Sequence, residues 1–87
     1  MIGFGFINRA LVPAEGGEPP SIPSWLGDEG VLDLTTATWL LRVAGEPGPG
    51  EYCCAAGTYR FSAAEAGHEV QIHYEPDLLS ASARRAP

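Results

Sequence analysis

The chain predicts an all-β domain, mainly antiparallel, as a small β-sandwich or β-barrel with an extended Pro/Gly-rich N-terminal arm. Three observations carry that expectation. Apolar and polar residues alternate with period two in residues 58–61 and 70–74, the repeat of a strand with one buried face. The 87 residues include 11 Gly and 8 Pro, a composition of turns and extended segments rather than of a helical bundle. Pro13, Gly16, Gly17, Pro19, Pro20 and Pro23 crowd one stretch and break any regular element there. The expected organisation is an arm over residues 1–30, a β domain over 31–76 and a tail over 77–87.

In chain order, residues 1–7 set Ile2, Phe4 and Phe6 on one side with glycines between them. This is either a strand with one apolar side or an arm that inserts into a groove on another chain. Residues 8–30 are broken by proline and glycine, yet Leu11, Val12, Ile22, Trp25 and Leu26 are too apolar for a free linker. An extended, polyproline-like segment with anchoring side chains fits this pattern. Trp25 and Leu26 either fold back onto the domain's own core or dock on a neighbour, where a buried Trp is a frequent anchor. The expected partner-binding anchors of the arm are therefore Ile2, Phe4, Phe6, Trp25 and Leu26.

Residues 31–35 read as a strand, and residues 38–43 as a stronger one with Trp39, Leu41 and Val43 on the core face and Leu40 on the other. Residues 45–50, Gly-Glu-Pro-Gly-Pro-Gly, form a loop by composition. Residues 51–55 follow as a strand with Tyr52 and Cys54 inward, and Ala56-Gly57 turns it into a hairpin with residues 58–61. Ser62 can cap a helical turn, Glu65 completes a capping-box spacing, and Gly67 can take the left-handed conformation that ends it. So short a connection most simply joins antiparallel neighbours. Val70, Ile72 and Tyr74 then point inward, with Glu69, Gln71 and His73 outward, and Glu75-Pro76 closes the strand. The expected core is Trp39, Leu41, Tyr52, Tyr59, Phe61, Val70, Ile72 and Tyr74. In the tail, Leu78 and Leu79 are apolar and Arg84-Arg85 adds two charges.

Bulk properties limit the partners. A chain this short buries a modest share of its surface, and a disulfide, metal or partner chain often supplies the missing stability. The net charge is −6 and there is no lysine, which disfavours specific nucleic-acid binding and anionic membranes. No apolar run approaches the roughly 20 residues of a membrane span. Cys53 and Cys54 are adjacent, so a bridge between them would close almost no loop at strained geometry. A reduced pair is expected, as in a protein made in a cytoplasm.

Chemistry-bearing patterns are sparse. His68 and His73 fall on opposite faces of one strand. Glu69 and His73 share a face but stand about 13 Å apart, too far for one ion. Acidic residues are scattered, and no nucleophile elbow, phosphate loop or dinucleotide fingerprint occurs. No catalytic residue, cofactor or metal is expected. Tyr52, Tyr59, Phe61 and Tyr74 could line a ligand site, but their shared inward parity favours core packing. Arg60, Glu69, Gln71 and His73 point outward, to solvent or to a partner.

Residues 47–74 resemble a segment of tailed-bacteriophage structural proteins, in which G-x-Y and a short turn precede G-x-Y-x-F-S-A-A-D-A-G and then V-x-I-x-Y. Here those are Gly50-Glu51-Tyr52, then residues 57–67 as Gly-Thr-Tyr-Arg-Phe-Ser-Ala-Ala-Glu-Ala-Gly, then Val70-Gln71-Ile72-His73-Tyr74. Glu65 stands where Asp is commoner. The resemblance covers about the last half of the chain and does not touch residues 1–30. It implies a non-enzymatic virion component, made in the host cytoplasm and carried in the particle, with other virion proteins (capsid, connector or tail subunits) and further copies of itself as partners. An accessory capsid protein that decorates or cements the shell is the leading expectation. A head–tail connector or tail component comes second, and a soluble ligand-binding β module is the rival of another class.

Overall fold

The structure, a computed structural model, describes residues 5–77. It is mostly antiparallel β, in two sheets that share one core. Strands β1 (Phe6–Leu11), β2 (Trp25–Asp33), β3 (Thr38–Trp39) and β7 (Glu69–Pro76) form a four-stranded sheet in the order β1-β7-β2-β3. Strands β4 (Leu41–Arg42), β5 (Glu51–Ala55) and β6 (Thr58–Phe61) form a three-stranded sheet in that order. Among the described residues the one parallel pair is β4 with β5. Among the described residues no helix is long and apolar enough to cross a membrane.

The expected hairpin of β5 and β6 is present, with Cys54 opposite Tyr59 and Ala55 opposite Thr58. Its two turn residues, Ala56 (φ 51) and Gly57 (φ 86), are both left-handed, as the tightest hairpin turn requires. Gly57 also lacks room for a side chain, because a Cβ there would lie 2.6 Å from the Ile22 carbonyl oxygen. The segment after β6 makes a short 3₁₀ turn, Ala63–Glu65. Ser62 caps it, its Oγ accepting from the Ala64 amide, and Gly67 takes the expected positive φ of 84°. Glu65 does not complete the capping box. Its Oε2 accepts the Gly50 amide instead, tying the turn to the proline loop.

Three expectations are corrected. First, β6 and β7 are not neighbours in a hairpin. They lie in different sheets, and the 3₁₀ turn carries the chain from one sheet to the other. Second, residues 38–43 are not one strand. The chain leaves β3 for β4 at Leu40, whose amide bonds the Val31 carbonyl of one sheet while the next amide, of Leu41, bonds the Gly50 carbonyl of the other. That crossover inverts the side-chain parity. Leu40 is buried, and Trp39 and Leu41, expected in the core, are 58% and 64% exposed. Third, the described part of residues 1–30 lies on its own domain. Strand β1 pairs with β7 along its whole length, β2 is an interior strand of the same sheet, and Val12 and Ile22 are buried in the core. Apolar burial explains it, since Val12, Ile22 and Trp25 cover core surface that a domain of residues 31–76 would leave wet.

The core cluster is Val12, Ile22, Val31, Leu40, Tyr52, Tyr59, Val70 and Ile72. Tyr52, Tyr59, Val70 and Ile72 were expected there. Phe61 and Tyr74, also expected, are partly buried and pack against it, as does Cys54. Cys53 and Cys54 are both free thiols.

Candidate functional site

Two polar clusters and one surface merit a chemical reading. The first cluster centres on Asp28. Register shifts in β2 on either side of residues 27–28, and a positive φ at Gly30, mark an irregular strand that turns the Asp28 side chain inward. The carboxylate is almost wholly enclosed. Its Oδ2 accepts from the Tyr52 hydroxyl at 2.7 Å, and its Oδ1 accepts from the Tyr59 hydroxyl at 2.8 Å and from the Gly30 amide at 3.2 Å. Arg42 lies 3.6 Å from Oδ2, and the Trp25 indole N–H donates to the Tyr59 oxygen at 3.0 Å. Burial, followed by the hydrogen bond and charge of Asp28, pushes the Tyr52 hydroxyl far above its ordinary value. Tyr59 is pushed up as well, by burial and by Asp28, against an opposing contribution from the Trp25 hydrogen bond. Burial and the Asp28 charge also raise the Cys54 thiol. A raised thiol holds little thiolate and is a poor nucleophile. The cluster is therefore a satisfied polar network: both tyrosine hydroxyls and the Gly30 amide donate to the carboxylate, and the Trp25 N–H donates to Tyr59.

The second cluster joins the end of β2 to the start of β7. Asp33, 1% exposed, receives His68 Nδ1 at 2.8 Å on Oδ2 and the amides of Thr35 and Thr36 on Oδ1. Burial raises the Asp33 pKa, but the His68 hydrogen bond, the Thr36 amide, the His68 charge and the Thr35 amide together outweigh it, and the net shift is downward. An Asp–His pair resembles part of a catalytic triad. Among the described residues, no hydroxyl or thiol hydrogen-bonds to the imidazole. Here the pair pins a turn: Asp33 fixes the amides after β2, and Thr35 Oγ1 takes the Glu69 amide at 2.9 Å. Among the described residues no group of three or more His, Cys, Asp and Glu could hold a metal ion.

The surface is the outer face of the four-stranded sheet and its β1 edge, which no other described strand pairs. Ile7, Arg9 and Leu11 of β1 share that face with Glu69, Gln71 and His73 of β7 and with Leu32 and Trp39 beyond them. Ile7 is 57% and Leu11 68% exposed. Trp39 leans over Gly30 and packs its ring on His73 at a centroid distance of 5.2 Å. Arg9 spans to Glu69 at 2.9 Å. Leu26 and Leu41 are exposed elsewhere on the domain.

The expected anchors separate accordingly. Trp25 is half-buried, hydrogen-bonded to Tyr59, and faces its own core. Phe6 is half-exposed and meets Tyr74 edge-on at 6.0 Å. Leu26 is exposed. Ile2 and Phe4 lie outside the described residues, as do Leu78, Leu79 and the Arg84-Arg85 pair. Of the outward set, Glu69, Gln71 and His73 share the outer face with Trp39, whereas Arg60 is on the other sheet. Sequence reasoning missed Ile7, Leu11 and Trp39 as surface residues. The alternation of Ile7, Arg9 and Leu11 was the available signal, but it was hidden in a stretch read as an arm.

Comparison with known protein families, with curated proteins and with solved structures gives no match.

Proposed function

We propose that the chain is a non-enzymatic structural protein that works by assembly, as a component of a tailed-bacteriophage virion. An accessory capsid role, decorating or cementing the shell, is the leading form, with a head–tail connector or tail component as the alternative. The two sheets are read as a small β-sandwich that serves as scaffold. The observation that carries the reading is the placement of Ile7, Leu11 and Trp39 together on the outer sheet face of a domain whose core is complete without them. Large exposed apolar side chains on a small domain are typical of a surface that another protein covers. The G-x-Y-x-F-S-A-A-E-A-G segment supports placing that partner in a virion, among other structural subunits and further copies of this chain. The rival reading, a ligand-binding module, loses its aromatic stripe. Tyr52 and Tyr59 are sealed, at 2% and 0% exposure, with their hydroxyls committed to Asp28.

Quantitative mass spectrometry of purified particles from a phage encoding the chain tests the reading. The expected result is a fixed, symmetry-related copy number that survives repeated density-gradient purification. A chain found only in the infected-cell lysate, and never in particles, contradicts it.

A further inference from the structure

We infer that the free edge of β1 is a self-association site, at which two copies of the chain pair their β1 strands antiparallel and join their four-stranded sheets into one. The inference deepens the assembly reading above and takes its biological meaning from it.

The backbone gives the first argument. Among the described residues β1 is the outermost strand of its sheet. The Val12 amide donates to the His68 carbonyl and the Val12 carbonyl accepts the Gly67 amide, so Val12 turns both its polar groups toward the β7 side. Alternate residues of a strand repeat that orientation. Phe6, Asn8 and Ala10 therefore bond β7, and Ile7, Arg9 and Leu11 turn their N–H and C=O groups outward. The β7 strand agrees: the Glu69 carbonyl accepts the Leu34 amide, which assigns the odd residues of β7 to β2 and leaves its even ones for β1. The edge is six residues long and carries no proline; its one blocking feature is the charge of Arg9, which Glu69 pairs.

The side chains select a second copy as the occupant. Ile7 and Leu11 lie equally far on either side of Arg9. An antiparallel pairing centred on Arg9 sets Ile7 of each copy against Leu11 of the other, apolar against apolar at both ends. That register also joins the outward N–H and C=O groups of all three residues. Arg9 meets Arg9 at the centre, where like charges would repel. Each Arg9, however, already holds Glu69 at 2.9 Å, so the seam is a balanced set of two cations and two anions. This matters in a chain of net charge −6, because residues 5–14 themselves contain no acidic side chain. A shift of register by two residues loses both Ile7–Leu11 matches and sets Arg9 against Leu11 or Ile7 instead.

Sedimentation velocity of the full chain across a concentration series is the test, with three variants. Arg9→Pro removes an N–H that points only outward, so it leaves the ladder to β7 intact. Ile7→Lys places a charge in the seam without touching the backbone. Asn8→Pro removes an N–H that faces β7 and serves as the opposite control. The expected result is a concentration-dependent dimer for the native chain, its loss in Arg9→Pro and Ile7→Lys with unchanged near-ultraviolet circular dichroism, and unfolding of Asn8→Pro. A native chain that stays monomeric at its solubility limit overturns the edge inference. So does a dimer that both folded edge variants retain, which places the contact elsewhere. Binding to particles separates the two levels: a strict monomer that still binds them refutes edge pairing and leaves the assembly reading standing.

Discussion

The Tyr59 hydroxyl donates to Asp28 across 2.8 Å while accepting the Trp25 indole N–H across 3.0 Å. This contact joins the two sheets, because Asp28 and Trp25 are in β2 and Tyr59 is in β6. It also fastens the irregular start of β2, which sequence composition alone assigns to an extended arm. Tyr59→Phe should therefore cost about 1–3 kcal/mol, the usual penalty for leaving buried polar partners unsatisfied. Asp28→Ala should cost more, since it strands both the Tyr52 and Tyr59 hydroxyls at about 1–3 kcal/mol each, while Arg42, 53% exposed, keeps its water. Urea unfolding midpoints check both. A Tyr59→Phe midpoint equal to the native one would show that the network does not hold the sheets together.

The same network predicts alkaline lability. Tyr52 and Tyr59 are raised in the folded state above the ordinary tyrosine value of 10.0, and Cys54 above 9.0. Above those ordinary values the unfolded chain releases protons that the folded chain keeps, so rising pH favours unfolding. The stabilisation is present in full below about pH 9 and is lost as pH climbs toward the raised folded values. Thermal melts should fall steadily above that point, and Tyr52→Phe should flatten the decline. A melting temperature constant through strongly alkaline pH would contradict the burial of both phenols.

Acid acts through Asp33. Its pKa is lowered from 3.8, so the folded state prefers the carboxylate. That contribution is present above the ordinary value and is lost as pH falls below it, through the folded value. Asp33→Asn should remove this part of the acid transition and cost about 1–3 kcal/mol near neutrality, because His68 and two amides lose a charged acceptor. Melting curves for the two proteins between neutral and strongly acid pH check it. Parallel curves at every pH would rule out the Asp33–His68 pair as a source of acid sensitivity.

Amide exchange offers a residue-level view of the edge. In dilute solution the amides of Asn8, Ala10 and Val12 should be protected and those of Ile7, Arg9 and Leu11 should exchange freely, since exchange follows local hydrogen bonding. At concentrations where dimers form, the second set should become protected too. Alternation that persists unchanged in the associated state would place the contact off the β1 edge.

The legible part of the sequence was the part in which local pattern and tertiary environment agree. Tyr59, Val70 and Ile72 alternate with polar residues and are buried, the Ala56-Gly57 turn makes its hairpin, and Ser62 caps its turn. Residues 38–43 misled because period-two alternation assumes one strand in one sheet. Leu40 is a crossover, and bonding its amide to Val31 reversed the inside and outside assignments of Trp39 and Leu41. Residues 6–11 and 25–30 misled for another reason. Prolines and glycines between them suggested an arm, whereas both stretches find their partner in β7, far along the chain. Asp28 carries no local signal at all, since its partners Tyr52 and Tyr59 are distant in sequence.

The exposed apolar face, on the reading proposed above, serves assembly. Saturation binding of the purified full chain to particles that lack it, separated by sedimentation, tests this most directly, with Trp39→Ser and Ile7→Lys compared at equal folded content. The predicted result is saturation at a fixed number of copies per particle, with binding weakened at least about tenfold in the variants, the effect of losing roughly 1.4 kcal/mol or more. Native binding that fails to saturate, or variants that bind as well as the native chain, would contradict it.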